Sequence, residues 1–246
     1  MNELDVDLTG KSTLISGASR GIGRGIAMAA ASKGANVICV GRTLEKDGER
    51  GSLRETVDMI QSSGGKATSF HCDVSKPDEI VDLFNNISSQ LGDIDILVNN
   101  AGIYTAGSIQ NISLQDWDMG LAINLTAPML MSKLAIPMMI NKGGGVILNI
   151  TSGSAERYDR KHIAYSVSKA ALNRFTQNLA KEVSNLNIVV NALGPGLVKT
   201  EMNGFYARGD EIESVIEPAL KLMALTIADN ISGQILHKDQ YREDKT

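Results

Sequence analysis

The stretch LISGASRGIG, Leu14 to Gly23, joins a short apolar run to a helical one through Gly17, Gly21 and Gly23. STLISG (12–17) ends in glycine, as a buried strand does, and Ile22, Ile26, Ala29 and Ala30 then recur at helical spacing. Glycines in such a turn let a phosphate approach the backbone. The helix N-terminus adds unpaired N–H donors and the positive end of its dipole. The spacing is G-x-x-x-G-x-G, not the G-x-G-x-x-G fingerprint of dinucleotide sites. Taken alone, the turn fits a structural connection equally well.

The alternation continues outward from this stretch. NVICVG (36–41), ATSFHC (67–72), IDILVN (94–99), VILNIT (146–151) and NIVVNAL (187–193) read as strands. Leu53, Val57 and Ile60 mark one helix, and Ile80, Leu83, Phe84 and Ile87 another. Long helical stretches cover 114–141 and 162–184. The strands are near-continuously apolar and β-branched, the pattern of a parallel sheet covered on both faces. The expected fold is α/β: a single doubly wound Rossmann-type domain over residues 1–246, with a mostly parallel sheet of about seven strands and helices on both faces. The polar segment 200–225, with Gly204, Gly209 and Pro218, follows a strand end and is expected to form a small substrate lid.

Composition narrows the function. The chain has 246 residues, 43 % of them hydrophobic and 21 % charged, and a net charge of −4, ordinary values for a soluble globular protein. Without a basic run, nucleic acid is not an expected partner. Cys39 and Cys72 lie in strand-like runs and read as reduced, buried thiols. Three histidines give no metal-ligand cluster, so no metal is expected. The start MNELDVDLTGK is acidic and lacks the apolar core of a signal peptide. The longest apolar stretch, Ala127 to Ile140, is interrupted by Pro128, Lys133 and Pro137 and reads as too short and broken to span a bilayer. A cytoplasmic protein with no membrane partner is the expectation.

Three further features bear on chemistry. Tyr165 and Lys169 stand at i and i+4, sharing one helix face. A phenol with pKa near 10 is a poor proton donor at neutral pH, and a neighbouring ammonium would lower that value into a usable range. Tyr241 and Lys245 repeat the spacing in a charged tail, so context must decide. Ser152 ends the strand VILNITS, 13 residues before Tyr165, where strand end and helix would bring both hydroxyls to one crevice. It also fits a plain turn serine. Asn124 falls on an apolar stripe with Trp117 and Leu121, and a buried amide there needs partners whether its role is structural or functional.

Together SGASRGIG (16–23), NNAG (99–102), Asn124, Ser152, YSVSK (165–169) and PGLVKT (195–200) resemble the short-chain dehydrogenase/reductase family, in its order and spacing over about residues 8–237. The resemblance implies a nicotinamide dinucleotide on the sheet. Gly17, Gly21 and Gly23, with Ser19, Arg20 and Ile22 between them, would form its pyrophosphate turn. Asp73 and Val74 would meet the adenine ring. Asn100, Ala101 and Gly102 would line the adenosine side, and Pro195, Gly196, Val198 and Thr200 would pack on the nicotinamide. It further implies four catalytic residues. Tyr165 would be the general acid in reduction and the base in oxidation, and Ser152 would polarise the substrate oxygen. Lys169 would lower the tyrosine pKa and bind the ribose, and Asn124 would anchor a water that relays protons to Lys169.

The nucleotide reads as NADP (NADPH). An NAD site usually places an acid at the end of strand two, on the ribose 2′-hydroxyl. Gly41 and Arg42 stand there instead, and Arg20 lies inside the turn. Both guanidiniums suit a 2′-phosphate, whereas Arg24 is expected to point to solvent.

The chain departs from the family's pattern in several places. Ser16 opens the turn where Thr is usual, and the loop TLEKDGERGS after strand two is long and charged. The loop GSAERYDRKHIA between Ser152 and Tyr165 is more polar than in many relatives, which fits either a polar substrate or a solvated rim. The tail GQILHKDQYREDKT stands where an Asp-Gly-Gly stretch often follows the last strand. Helices 114–141 and 162–184 carry Met119, Met129, Met131, Met138, Met139 and Phe175. They correspond to a common dimer face of the family, so a homodimer or homotetramer is expected.

The implied activity is hydride transfer between NADP(H) and a small-molecule carbonyl or secondary alcohol. Two alternatives remain: a 3-oxoacyl thioester reductase of fatty-acid synthesis, and a non-catalytic nucleotide-binding regulator on the same fold. Intact Asn124, Ser152, Tyr165 and Lys169 argue against the regulator.

Overall fold

The structure is a computed structural model that describes residues 6–45, 51–158, 160–205 and 207–241. Seven parallel strands form one sheet in the order β3-β2-β1-β4-β5-β6-β7. They are β1 (Ser12–Ser16), β2 (Asn36–Gly41), β3 (Lys66–His71), β4 (Ile96–Asn99), β5 (Gly145–Ile150), β6 (Ile188–Gly194) and β7 (Ile235–His237). Leu14 of β1 lies between Ile38 of β2 and Leu97 of β4.

Side chains alternate across this sheet, and both faces are covered. Ile15, Val37, Cys39, Ile96 and Val98 pack with helices α1 (Gly21–Ser32), α2 (Leu53–Ser62) and α7 (Glu213–Met223). Leu14, Ile38, Val40, Leu97 and Ile147 pack on the other side with α3 (Pro77–Leu91), α5 (Ala127–Asn141) and α6 (Ile163–Glu182). The near-continuous apolar character of the strands follows from these two apolar layers.

The chain crosses from one edge of the sheet to the other after β3, so the order reverses between β1 and β4. Loops diverge there and leave a crevice beyond the strand ends, where open α/β sheets bind ligands. Ser16 pins that point: its Oγ accepts from the N–H groups of Asn100 (3.1 Å) and Ala101 (3.0 Å). The hydroxyl, which Thr would also supply, is what this position uses.

Three segments differ from the sequence reading. The stretch 114–141 is not one α-helix: α4 (Leu114–Leu121) passes through a π-helical turn (Ala122–Thr126) into α5. The result is a 28-residue helical run that is long and apolar enough, by length and composition, to cross a membrane. The apolar stretch is therefore longer than Ala127 to Ile140 suggests. Of its most apolar window 44 % is buried inside the fold, where Met131, Ala135 and Met139 pack on the sheet. Strand β7 has three residues, too few for alternation to register. Within 200–225, α7 belongs to the body, because Val215, Ala219 and Leu222 are buried in the core with α1. Of the described residues in this segment, Thr200, Glu201 and Met202, at a short turn over Glu201–Asn203, reach the cleft, in a flap closed at its neck by the Val198–Asp210 bridge.

Candidate active site

The glycine turn is shaped by contacts a side chain would block. Gly17 has φ +67°, and a Cβ on it would come 2.9 Å from Ala101 Cα. A Cβ on Gly23 would collide with the Gly17 carbonyl oxygen. α1 begins at Gly21, and its N-cap residue, Arg20, is extended and makes no side-chain cap. The first-turn N–H groups are therefore uncapped, as an anion site requires.

Arg24 does not point to solvent. Its guanidinium donates to the Ser19 carbonyl (2.6 Å), Glu55 Oε2 (2.7 Å) and Thr56 Oγ1 (3.1 Å), and its side chain is 19 % exposed. It faces α2 because the helix that follows the turn carries it sideways. Glu55 also closes the capping box of α2 with Ser52. Arg24 thus ties the turn to its neighbouring helix.

A cleft of about 420 Å³ opens over the C-terminal ends of the strands. From the turn it is lined by Gly17, Ser19, Arg20, Gly21, Ile22 and Gly23, and from the ends of β2 and β3 by Arg42, Asp73 and Val74. Asn100, Ala101 and Gly102 follow β4, Pro195 follows β6, Thr200 comes from the flap, and Tyr165 and Lys169 from α6. Burial raises the Asp73 carboxyl, but hydrogen bonds from Ser75 and the charges of Arg42 and Lys76 outweigh it and hold the group below its usual range. Gly196, Val198 and Asn124 stand back from this cleft, and Ser152 meets it through its contact with the Tyr165 phenol. Val198 is buried at the neck of the flap, paired with Asp210, and Gly196 lies under the stem of Lys238.

Tyr165 and Lys169 share one face of α6, and burial acts on both. Burial pushes the Tyr165 phenol above its ordinary value. A hydrogen bond with Ser152 pulls it down, and Tyr104 pushes it up. Lys169 is itself buried, which lowers its pKa to about 8. Its Nζ donates to the Ile150 carbonyl at 2.8 Å and stands 6.0 Å from the Tyr165 ring centroid.

Asn124 is fully buried beneath the cleft. Its Oδ1 accepts from Ile103 N (2.9 Å), and its Nδ2 donates to Ile103 O (2.9 Å) and Ser168 Oγ (3.0 Å). Both amide hydrogens are used, so the side chain clamps the segment after β4 onto α6 and has no N–H left for a water. The π-helical turn makes this possible by placing Ile123 and Asn124 both inward, a distortion often found at functional sites.

Tyr104, Ile103, Thr43, Glu201 and Met202 also stand on the cleft wall, and no motif in the sequence marks them. The Tyr104 ring lies 5.3 Å from that of Tyr165 and 5.2 Å from that of His162, edge-on to both. The only signal for Tyr104 was its place two residues past NNAG. The polar loop after Ser152 is largely a solvent-facing rim: Glu156, Arg157, Tyr158, Arg160 and Lys161 are exposed, with Glu156 paired to His237 at 3.3 Å. Asp159 of this loop, residues 46–50 of the loop after β2, and Lys245 lie outside the described residues.

The family profile described as short chain dehydrogenase matches residues 11–210. An uncharacterized oxidoreductase of Thermotoga maritima is 39 % identical over 203 residues, 82 % of this chain and 77 % of that one. A 3-oxoacyl-[acyl-carrier-protein] reductase of Aquifex aeolicus is 32 % identical, covering 95 % of this chain and 98 % of its own. A crystal structure of a 3-oxoacyl (acyl-carrier-protein) reductase from Agrobacterium tumefaciens with NADP bound superposes with a TM-score of 0.85 at 28 % identity, covering 94 % of each chain. Members of this family bind a nicotinamide cofactor, and the uncapped helix, the close-packed glycines and the cleft beside Tyr165 and Lys169 suit one. The chain is an oxidoreductase of the short-chain dehydrogenase family.

Proposed function

We propose that the protein is an NADP(H)-dependent oxidoreductase that interconverts a small carbonyl compound and its secondary alcohol, with Tyr165 as general acid and base. The observation that carries this reading is the meeting of Tyr165, Lys169 and the glycine turn in one cleft beyond the strand ends. A bound nicotinamide supplies or accepts the hydride. Tyr165, like any phenol protonated at neutral pH, gives its proton to the substrate oxygen as that oxygen gains charge. Ser152 hydrogen-bonds the phenol and holds the same oxygen. Lys169, charged below about pH 8, stabilises the phenolate left behind. Asn124 fixes the wall against which the reacting atoms are oriented.

NADP is favoured because Arg20 and Arg42 both line the cleft where β2 ends in Gly41 rather than an acid. Each offers a planar fork of donors to a phosphate. The NADP-bound Agrobacterium reductase supports the same choice. We further read residues 1–246 as a single domain, in a reducing, cytoplasmic setting where Cys39 and Cys72 stay thiols, both pushed up to about 12 by burial. We read it also as a homo-oligomer joined through α4, α5 and α6, which expose Met119, Met129, Ile140 and Val167.

A second reading, reduction of a 3-oxoacyl thioester, is favoured by the Aquifex reductase, which aligns over 98 % of its length. One assay separates the readings. NADPH oxidation is followed with ketones, quinones, sugars and 3-oxoacyl thioesters as substrates, and with NADH as the competing cofactor. Turnover of simple ketones with NADPH supports the leading reading, and turnover of thioesters alone supports the second. NADPH binding without turnover of any substrate supports a non-catalytic regulator.

A further inference from the structure

Among the described residues, Lys238 is the bulkiest fully buried side chain, 2 % exposed. It enters directly after β7, in the tail that departs from the family's pattern. Its stem lies across Gly196, where an added Cβ would come 2.8 Å from Lys238 Cε. Its ammonium pairs with the Asp210 carboxylate and donates to Ser214 Oγ at 3.2 Å. A buried cation is tolerated only when it is paired and hydrogen-bonded, and here both conditions are met.

Asp210 is the far foot of the flap. Its N–H donates to the Leu197 carbonyl (2.8 Å), and its carbonyl accepts from the Lys199 N–H (2.9 Å). These two bonds close the neck through which residues 199–210 leave and re-enter the body. The flap reaches the glycine turn: Thr200 Cγ2 and Glu201 Oε2 lie 3.6 and 3.7 Å from where a Cβ on Gly21 would be. One ammonium therefore joins the exit of β6, the foot of the flap and the start of α7.

We infer that Lys238 is a positioning residue for the cofactor site, locking the neck of the flap so that Thr200 and Glu201 stand over the phosphate turn before a dinucleotide arrives. This rests on the dinucleotide reading given above. A segment held in place beforehand need not be ordered at binding, and that ordering otherwise weakens affinity. Tyr165 lies on another element, so the lock acts on cofactor affinity rather than on proton transfer.

The test uses the full chain with Lys238→Met and, separately, Asp210→Asn. NADPH dissociation constants are read by fluorescence titration, backbone exchange by hydrogen–deuterium mass spectrometry, and folding by thermal melting. Either variant is expected to raise the NADPH Kd about tenfold, roughly 1.4 kcal/mol, and to speed exchange within 199–210. The double variant should be no worse than the more affected single one, because both break the same pair. If Lys238→Met fails to fold, Asp210→Asn decides alone. A lower melting temperature with unchanged Kd would make the pair purely structural and overturn the inference, as would unchanged exchange in 199–210. A wild-type chain that binds neither NADPH nor NADH would instead remove the dinucleotide reading, while the exchange data still report on the lock.

Discussion

Lys169 lies one helical turn from Tyr165, yet it gives its hydrogen bond to the Ile150 carbonyl, 2.8 Å away, and stands 6.0 Å from the tyrosine ring. Burial lowers the lysine to about 8 and raises the phenol. With no ligand bound, the lysine therefore loses its proton first as pH rises. Reduction uses the protonated phenol and gains from a charged Lys169. Its kcat/KM is expected to be level up to about pH 8 and to fall above it. Oxidation uses the phenolate and is expected to rise with pH. Profiles in both directions check this, and Lys169→Met should remove the break near pH 8. A reduction rate that climbs through pH 8 would contradict the assignment.

Arg24→Met removes three hydrogen bonds that join the glycine turn to α2. Charged hydrogen bonds contribute about 1.5–3 kcal/mol each at best, and partial exposure reduces that, so a loss of about 1–3 kcal/mol is expected. Urea unfolding measures it. Cofactor affinity should fall as well, because Ser19 is part of the turn. An effect under about 0.5 kcal/mol with unchanged affinity would return Arg24 to the class of surface arginines.

Asn124→Ala leaves the Ile103 N–H and carbonyl, part-buried on the cleft wall, without their partners. A fully buried orphan of this kind costs about 1–3 kcal/mol, and partial exposure reduces that, so a total loss of about 1–4 kcal/mol is expected. Activity should fall further than stability requires, because residues 100–103 form the cleft wall. Thermal melting and kcat on the same preparation separate the two effects. A variant of full stability and full activity would refute the clamp.

Arg42→Asp replaces a phosphate partner by the acid that favours a free ribose hydroxyl. The ratio of kcat/KM for NADPH over NADH is expected to drop about 100-fold, the equivalent of roughly 2.7 kcal/mol. Arg20→Ala should lower the same ratio by less. Equal efficiency with both cofactors in the wild type would refute the preference.

Much of this molecule is written locally. Leu14 and Ile15, or Ile147 and Leu148, are apolar because each strand has a helix layer on either side, and that pattern is readable without coordinates. The glycine turn and the Tyr165–Lys169 pair are short-range motifs and are equally legible. What stayed hidden depends on partners distant in sequence. Arg24 meets Glu55 and Thr56, Asn124 meets Ile103 and Ser168, and Lys238 meets Asp210. The π-helical turn at 122–126 shifts register within an otherwise helical pattern, which periodicity cannot reveal. The burial that raises Tyr165 and lowers Lys169 is equally a long-range property.

The most direct test of a catalytic Tyr165 is Tyr165→Phe, which removes one hydroxyl and keeps the ring beside Tyr104. NADPH affinity is measured by fluorescence, and turnover by single-wavelength absorbance on the best substrate from the screen. NADPH Kd within about twofold of wild type, with turnover reduced about 10²–10⁴-fold, is the expected result. Turnover near the wild-type rate would contradict it.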